Sequence, residues 1–115
     1  MCFVNTTGKI RIATKDITCY KTLENDMCSV FWSHEYKIDD IQDTVRLNAI
    51  LINGTYYVEK GYHSYKEENE ARLRCIAIKK GRKAVKCIIP KGSKYLYSKR
   101  KKEYVSSNII AKEVL

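Results

Sequence analysis

The sequence predicts an α+β fold, a small, mainly antiparallel β-sheet domain carrying one amphipathic helix, and three observations predict it. Short β-rich runs bounded by Gly, Asn, Asp or Pro recur along the chain. Two of these runs flank the dipeptide Asn53-Gly54, which tolerates the positive φ angles of a type I′ hairpin turn. One segment, about 65–79, places acids at its start and lysines followed by Gly81 at its end, as a helix dipole and a glycine C-cap favour.

Taken in order, 9–14 (KIRIAT) and 17–21 (ITCYK) alternate as half-buried strands do and are expected to pair or neighbour each other. A polar loop, 22–27, leads to 28–32 (CSVFW), a further strand by its aromatic and β-branched content. Its Trp32, the single tryptophan, is read as a core anchor, with base or ligand stacking as the alternative. Residues 33–44 gather Glu35, Asp39, Asp40 and Asp43 beside His34, a spacing that fits no EF-hand loop, so this is a solvated surface segment and no metal site is assigned. The hairpin follows, with strands over 45–52 and 55–58.

Ser64 and Glu67 have the S-x-x-E spacing of a capping box and place the helix over about 65–79, with Ala71, Cys75 and Ile78 on its buried face. Beyond it, 84–89 (AVKCII) is a strand, Pro90-Lys91-Gly92 a turn, and 93–98 a strand with Ser93, Tyr95 and Tyr97 on one face and Lys94 and Leu96 on the other. Lys99, Arg100, Lys101 and Lys102 are too charged to bury and form a hairpin tip, and 103–115 is a final strand. About six strands and one helix are expected in all, in a single domain spanning 1–115, since 115 residues can bury one core.

The five cysteines form no CxxC pair, so neither a disulfide framework nor a zinc spacing is indicated; Cys19, Cys75 and Cys87 are read as small core hydrophobes. No run of about 18 apolar residues occurs and the start lacks a secretory layout, from which a cytoplasmic location off the membrane is expected. The two glycosylation sequons, at Asn5 and Asn53, are then without consequence. GxSxG, P-loop and HExxH motifs are absent, which leaves nucleophilic, phosphoryl-transfer and zinc-hydrolase chemistries without a sequence basis.

Charge is the informative property. The net charge is +9, yet residues 1–78 hold 10 Lys and Arg against 11 Asp and Glu, whereas 79–115 hold 12 against 2. Such asymmetry marks contact with a polyanion or an acidic surface. The first functional reading is therefore a small non-enzymatic binding protein. Its basic C-terminal face meets nucleic acid or an acidic protein surface through Lys91, Lys94, Lys99, Arg100, Lys101 and Lys102, and Tyr95 and Tyr97 either stack on bases or fill the core. No cofactor is expected for it.

The pattern ITCYK, GYHSY ahead of a helix, KCIIPKGSKY and a closing YVSSNII resembles a set of small proteins found in gut bacteria and their phages, over most of the chain and most strongly over 61–110. The resemblance implies no activity, but a phage or mobile-element origin would suit a protein that blocks a host nucleic-acid-processing machine. More distantly, the chain is similar to ADP-ribosyltransferases. That likeness implies an NAD site from Tyr20-Lys21, Tyr62-His63-Ser64 and Glu103-Tyr104-Val105, with Glu103 as the catalytic candidate. Lys21 departs from the arginine or histidine of that family and lacks the planar fork of the one and the imidazole of the other. An active or degenerate enzyme of this kind is the alternative reading.

Overall fold

The computed structural model describes residues 2–3, 8–24, 27, 35–58, 60–78 and 81–115, with side chains for all of these except 2, 3 and 76–78. The α+β prediction is met: among the described residues there are ten strands, all paired antiparallel, and one helix. In chain order they are β1 (Cys2–Phe3), β2 (Arg11–Ile12), β3 (Ile17–Leu23), β4 (Ala49–Ile52), β5 (Thr55–Val58), β6 (Tyr62–Tyr65), α1 (Glu68–Ile78), β7 (Lys83–Ile89), β8 (Lys94–Ser98), β9 (Glu103–Ser106) and β10 (Ile110–Val114). Seven form one sheet, ordered β10-β7-β3-β6-β9-β8-β2, and the rest a small sheet, β1-β5-β4.

The longest ladder joins β3 to β7 from Ile17↔Ile89 to Leu23↔Lys83. Alternation along β3 buries Cys19, Lys21 and Leu23 on one face, and on β7 their neighbours Val85, Cys87 and Ile89. This face carries the main core, completed by Tyr36, Tyr62, Ile109 and Ala111, with Met27, Val45 and Tyr104 packed against it. The acidic segment is held across it by backbone bonds, Asp39 N–H to Ala111 O at 2.8 Å and Val45 N–H to Ser107 O at 2.9 Å, and by Tyr62 Oη donating to Asp43 O at 2.6 Å. Glu35, Asp39, Asp40 and Asp43 themselves stay exposed, as their charge requires. Among the described residues, no three His, Cys, Asp or Glu side chains converge on a metal-sized site.

The opposite face carries α1, fixed by Thr22 Oγ1 donating to Ala71 O at 2.8 Å, and a second core of Leu47, Val58, Leu96 and Val105 beneath the small sheet. Ala71 is fully buried and Cys75 half-buried, while Leu73 is exposed. Arg72–Glu68 and Arg74–Glu70 pairs at i,i+4 spacing line the solvent side and contribute a few tenths of a kcal/mol each.

Several expected boundaries move, each for a tertiary reason. The helix starts at Glu68 and not near 65, and Ser64 is no cap: it lies in β6, opposite Tyr104 of β9, so sheet pairing overrides the local capping pattern. Residues 17–21 do not pair with the segment before them. β3 already has β7 and β6 on its two edges, and β2, shortened to two residues, pairs with β8. Thr22 and Leu23 extend β3 into the expected loop. The 45–52 strand shortens to β4, because Val45 and Leu47 are committed to the two cores. The final strand divides into β9 and β10, which lie far apart in the sheet, on either side of Ser107, Asn108 and the buried Ile109. The expected strand at 28–32, with Trp32, and the expected position of His34 fall outside the described residues.

The Asn53-Gly54 turn is as predicted, with φ of 49° and 80° joining β4 to β5. Gly61 is required more strictly. Its φ is +144°, and a Cβ there would lie 2.3 Å from Val105 Cγ1 and 2.9 Å from Leu47 Cδ2, inside the second core. Gly61→Ala is expected to cost about 2 kcal/mol through backbone strain and overpacking together, lowering Tm by roughly 10 °C in a thermal melt. An unchanged Tm would show that this core yields.

Candidate nucleic-acid interface

The β8–β9 hairpin sets the geometry of the basic region. Its four-residue turn, residues 99–102, is closed by Ser98↔Glu103, and the register continues through Tyr97↔Tyr104 and Leu96↔Val105 to Tyr95↔Ser106. Lys102 takes φ +53° to complete the turn, and the Lys101 amide donates to Ser98 Oγ at 3.4 Å. Leu96 and Val105, both fully buried, anchor the hairpin in the second core. The pleat then directs Tyr95, Tyr97 and Tyr104 to the opposite face, where all three are half-buried.

There they form a contiguous aromatic patch. The Tyr97 and Tyr104 rings lie 5.0 Å apart at 39°, and Tyr95 meets Tyr104 edge-on at 6.0 Å. Among the described residues, none of the three phenol groups has a hydrogen-bond partner in the protein. Burial raises the Tyr104 phenol above its usual pKa, with Tyr97, Cys19 and Tyr95 adding to the effect. Cations border the patch: Lys66 Nζ sits 5.6 Å over the Tyr97 ring, and Arg11, exposed, is paired opposite Tyr95. Lys102 lies close enough to Tyr97 to interact with it, though its nearest partner is Glu67 at 3.0 Å, which raises the ammonium pKa. Lys99, Arg100, Lys101 and Lys102 are all exposed.

The eight residues expected to form one basic face are thus divided. Tyr95 and Tyr97 share one face of the hairpin, and Lys99, Arg100, Lys101 and Lys102 form its tip. Lys91 lies in the turn at the other end, its amide bonded to Asp16 Oδ1 at 2.9 Å, with the length of β8, about 17 Å, between it and the tip. Lys94 projects from the helix-bearing side beside Ile12. Three contributors were not foreseen. Tyr104 could have been found by counting back across the four-residue tip, which sets it opposite Tyr97. Lys66 and Arg11 could not, since both depend on strand pairings remote in sequence.

The residues of the NAD-site reading lie on three neighbouring strands, β3, β6 and β9, joined through Tyr20↔Tyr65 and Tyr65↔Glu103. Alternation nonetheless sends Lys21 and Ser64 into the main core and Glu103 to the helix-bearing side. Lys21 Nζ donates to the His63 carbonyl and lies 5.2 Å from the centre of the Tyr36 ring. Ser64 Oγ has no hydrogen bond of sound geometry, though it lies near the Cys19 thiol, whose pKa burial pushes up to about 11. Glu103 is half-buried; burial raises its carboxyl pKa, Lys101 and Arg74 oppose this, and Glu70 adds to it. Lys21 and Glu103 share no cleft.

No protein-family model, curated protein or solved structure matches the chain.

His63 gives this region a pH signature. Desolvation, with help from Lys21, lowers its pKa from 6.5 to about 4. Between these values the unfolded chain holds a proton that the folded one does not, so stability falls as pH falls from about 6.5 to about 4. His63→Gln should flatten the Tm-against-pH curve over that window relative to the unaltered protein. Parallel curves would place a protonated imidazole in the fold.

Proposed function

We propose that this protein binds nucleic acid through the tip and tyrosine-bearing face of the β8–β9 hairpin. The observation that carries the reading is the juxtaposition of four consecutive exposed cations with three half-buried tyrosines whose phenols are unbonded. Among the described residues, Lys99 and Arg100 meet no carboxylate within ion-pair distance, so their charge is available to a partner. Phosphates are the partner such a cluster suits, since each lysine or arginine that neutralises one releases condensed counterions. Such a surface carries no sequence code, because contacts to phosphates position a ligand without specifying its bases. A role in blocking a host nucleic-acid-processing machine would follow from occupancy of the nucleic acid it acts on, and rests on this same surface.

The NAD-using alternative is not favoured by any arrangement of side chains: its lysine and its glutamate face opposite sides of the sheet.

Replacing Lys99, Arg100 and Lys101 by Gln tests the proposal while leaving the Lys102–Glu67 pair in place. In anisotropy titrations with a labelled oligonucleotide, affinity should fall at least tenfold at low salt, and the slope of log K against log salt should shrink by about one per lost contact. Affinity that is unaltered, or insensitive to salt, would remove this surface as the binding site.

A further inference from the structure

Resting on that reading, we infer that the ligand is single-stranded, its bases stacking on the Tyr95–Tyr97–Tyr104 platform while Lys66, Lys99, Lys102 and Arg11 hold its phosphates. Leu96 and Val105 secure the hairpin from the other side at complete burial, and of the three rings Tyr104 packs against the main core, which leaves Tyr95 and Tyr97 outside both cores. Tyr104 is held by the main core, and Tyr97 and Tyr95 are held against it at 5.0 Å and 6.0 Å, so the rings have a fixed orientation at little entropic cost to the ligand. The Lys66 ammonium lies 5.6 Å over the Tyr97 ring, so a base stacking on that face displaces it toward the phosphate that follows.

Geometry selects the strand state. Tyr95 and Tyr97 are two residues apart on one strand, hence about 6.6 Å apart, whereas bases in a duplex strand are spaced about 3.4 Å. A duplex also hides its base faces within its own stack. Two bases splayed from a flexible single strand can meet both rings, and every base has a π-face, so stacking is tolerant of sequence. Cations on both sides of the patch, Arg11 opposite Tyr95 and Lys66 and Lys102 beside Tyr97, let the backbone run along β8 across both rings.

The test uses the full chain and four probes: labelled twelve-nucleotide oligo-dT, a mixed-sequence twelve-nucleotide strand, a twelve-base-pair duplex and poly-glutamate. Both single strands should bind at least tenfold more tightly than the duplex, and poly-glutamate more weakly than either strand. Tyr95→Leu and Tyr97→Leu should each weaken single-strand binding five- to hundredfold, while Tyr95→Phe and Tyr97→Phe retain it. Equal affinity for strand and duplex, strand binding indifferent to the Leu variants, or poly-glutamate binding as tightly as oligo-dT would overturn the stacking inference. In each of those cases a loss of affinity on neutralising Lys99, Arg100 and Lys101 would leave the electrostatic surface standing. The comparison of strand with duplex on the unaltered protein decides the matter even if a Leu variant fails to fold. Binding to neither nucleic acid would remove the inference and the proposed function together.

Discussion

The burial of Leu96 and Val105 is the constraint on which the described surface depends. They face each other across β8 and β9 and are closed over by Leu47 and Val58 from the small-sheet side. Because side chains alternate along a strand, this one buried pair dictates what the other side of the hairpin must show. A one-residue slip would bring the tyrosines into the second core and expose the leucine and valine, which fixes the register strongly. The tight passage of the chain at Gly61 beneath Val105 belongs to the same packing. An apolar contact on one side of the sheet is therefore what orders an aromatic and basic surface on the other.

The two faces of the large sheet divide the labour of the molecule. At the β7–β3 end each face is covered, by the acidic segment with its buried Tyr36 on one side and by α1 on the other. The acidic segment lies there beside Lys83 and Lys86 of β7 and Lys112 of β10, whereas the 99–102 tip gathers four consecutive cations. Lys112 pairs with Asp39 at 2.8 Å and Lys102 with Glu67 at 3.0 Å, but Lys99 and Arg100 at the tip are left to solvent. Solvated cations of this kind add little to stability, which makes their clustering informative about a partner.

What the sequence made legible was local. Asn53-Gly54, Pro90-Lys91-Gly92 and the four basic residues of the tip each carry their turn chemistry in consecutive positions, and each turn lies where it was expected. The split of 93–98 into a tyrosine face and a leucine face was equally readable from alternation. What escaped was decided by distant partners. Ser64 and Glu67 spell a helix start, yet β6 persists to Tyr65 because β9 supplies a ladder and β3 a further edge. Arg11 reached the candidate site only because β2 joins β8 across more than eighty residues of chain. The basic tail was legible as charge; its division into a tip beside the tyrosines and a remote Lys91 required the three-dimensional course of β8.

The central claim is that one face of one hairpin receives the ligand. Backbone-amide footprinting by hydrogen exchange or by ¹H–¹⁵N shift changes, on addition of a short single-stranded oligonucleotide, tests it most directly. The account predicts perturbation confined to amides of residues 95–104, with Lys66 and Arg11 joining them, and silence along α1, β4 and the acidic segment. A footprint centred on the acidic segment or the small sheet, or none at saturating oligonucleotide, would contradict it.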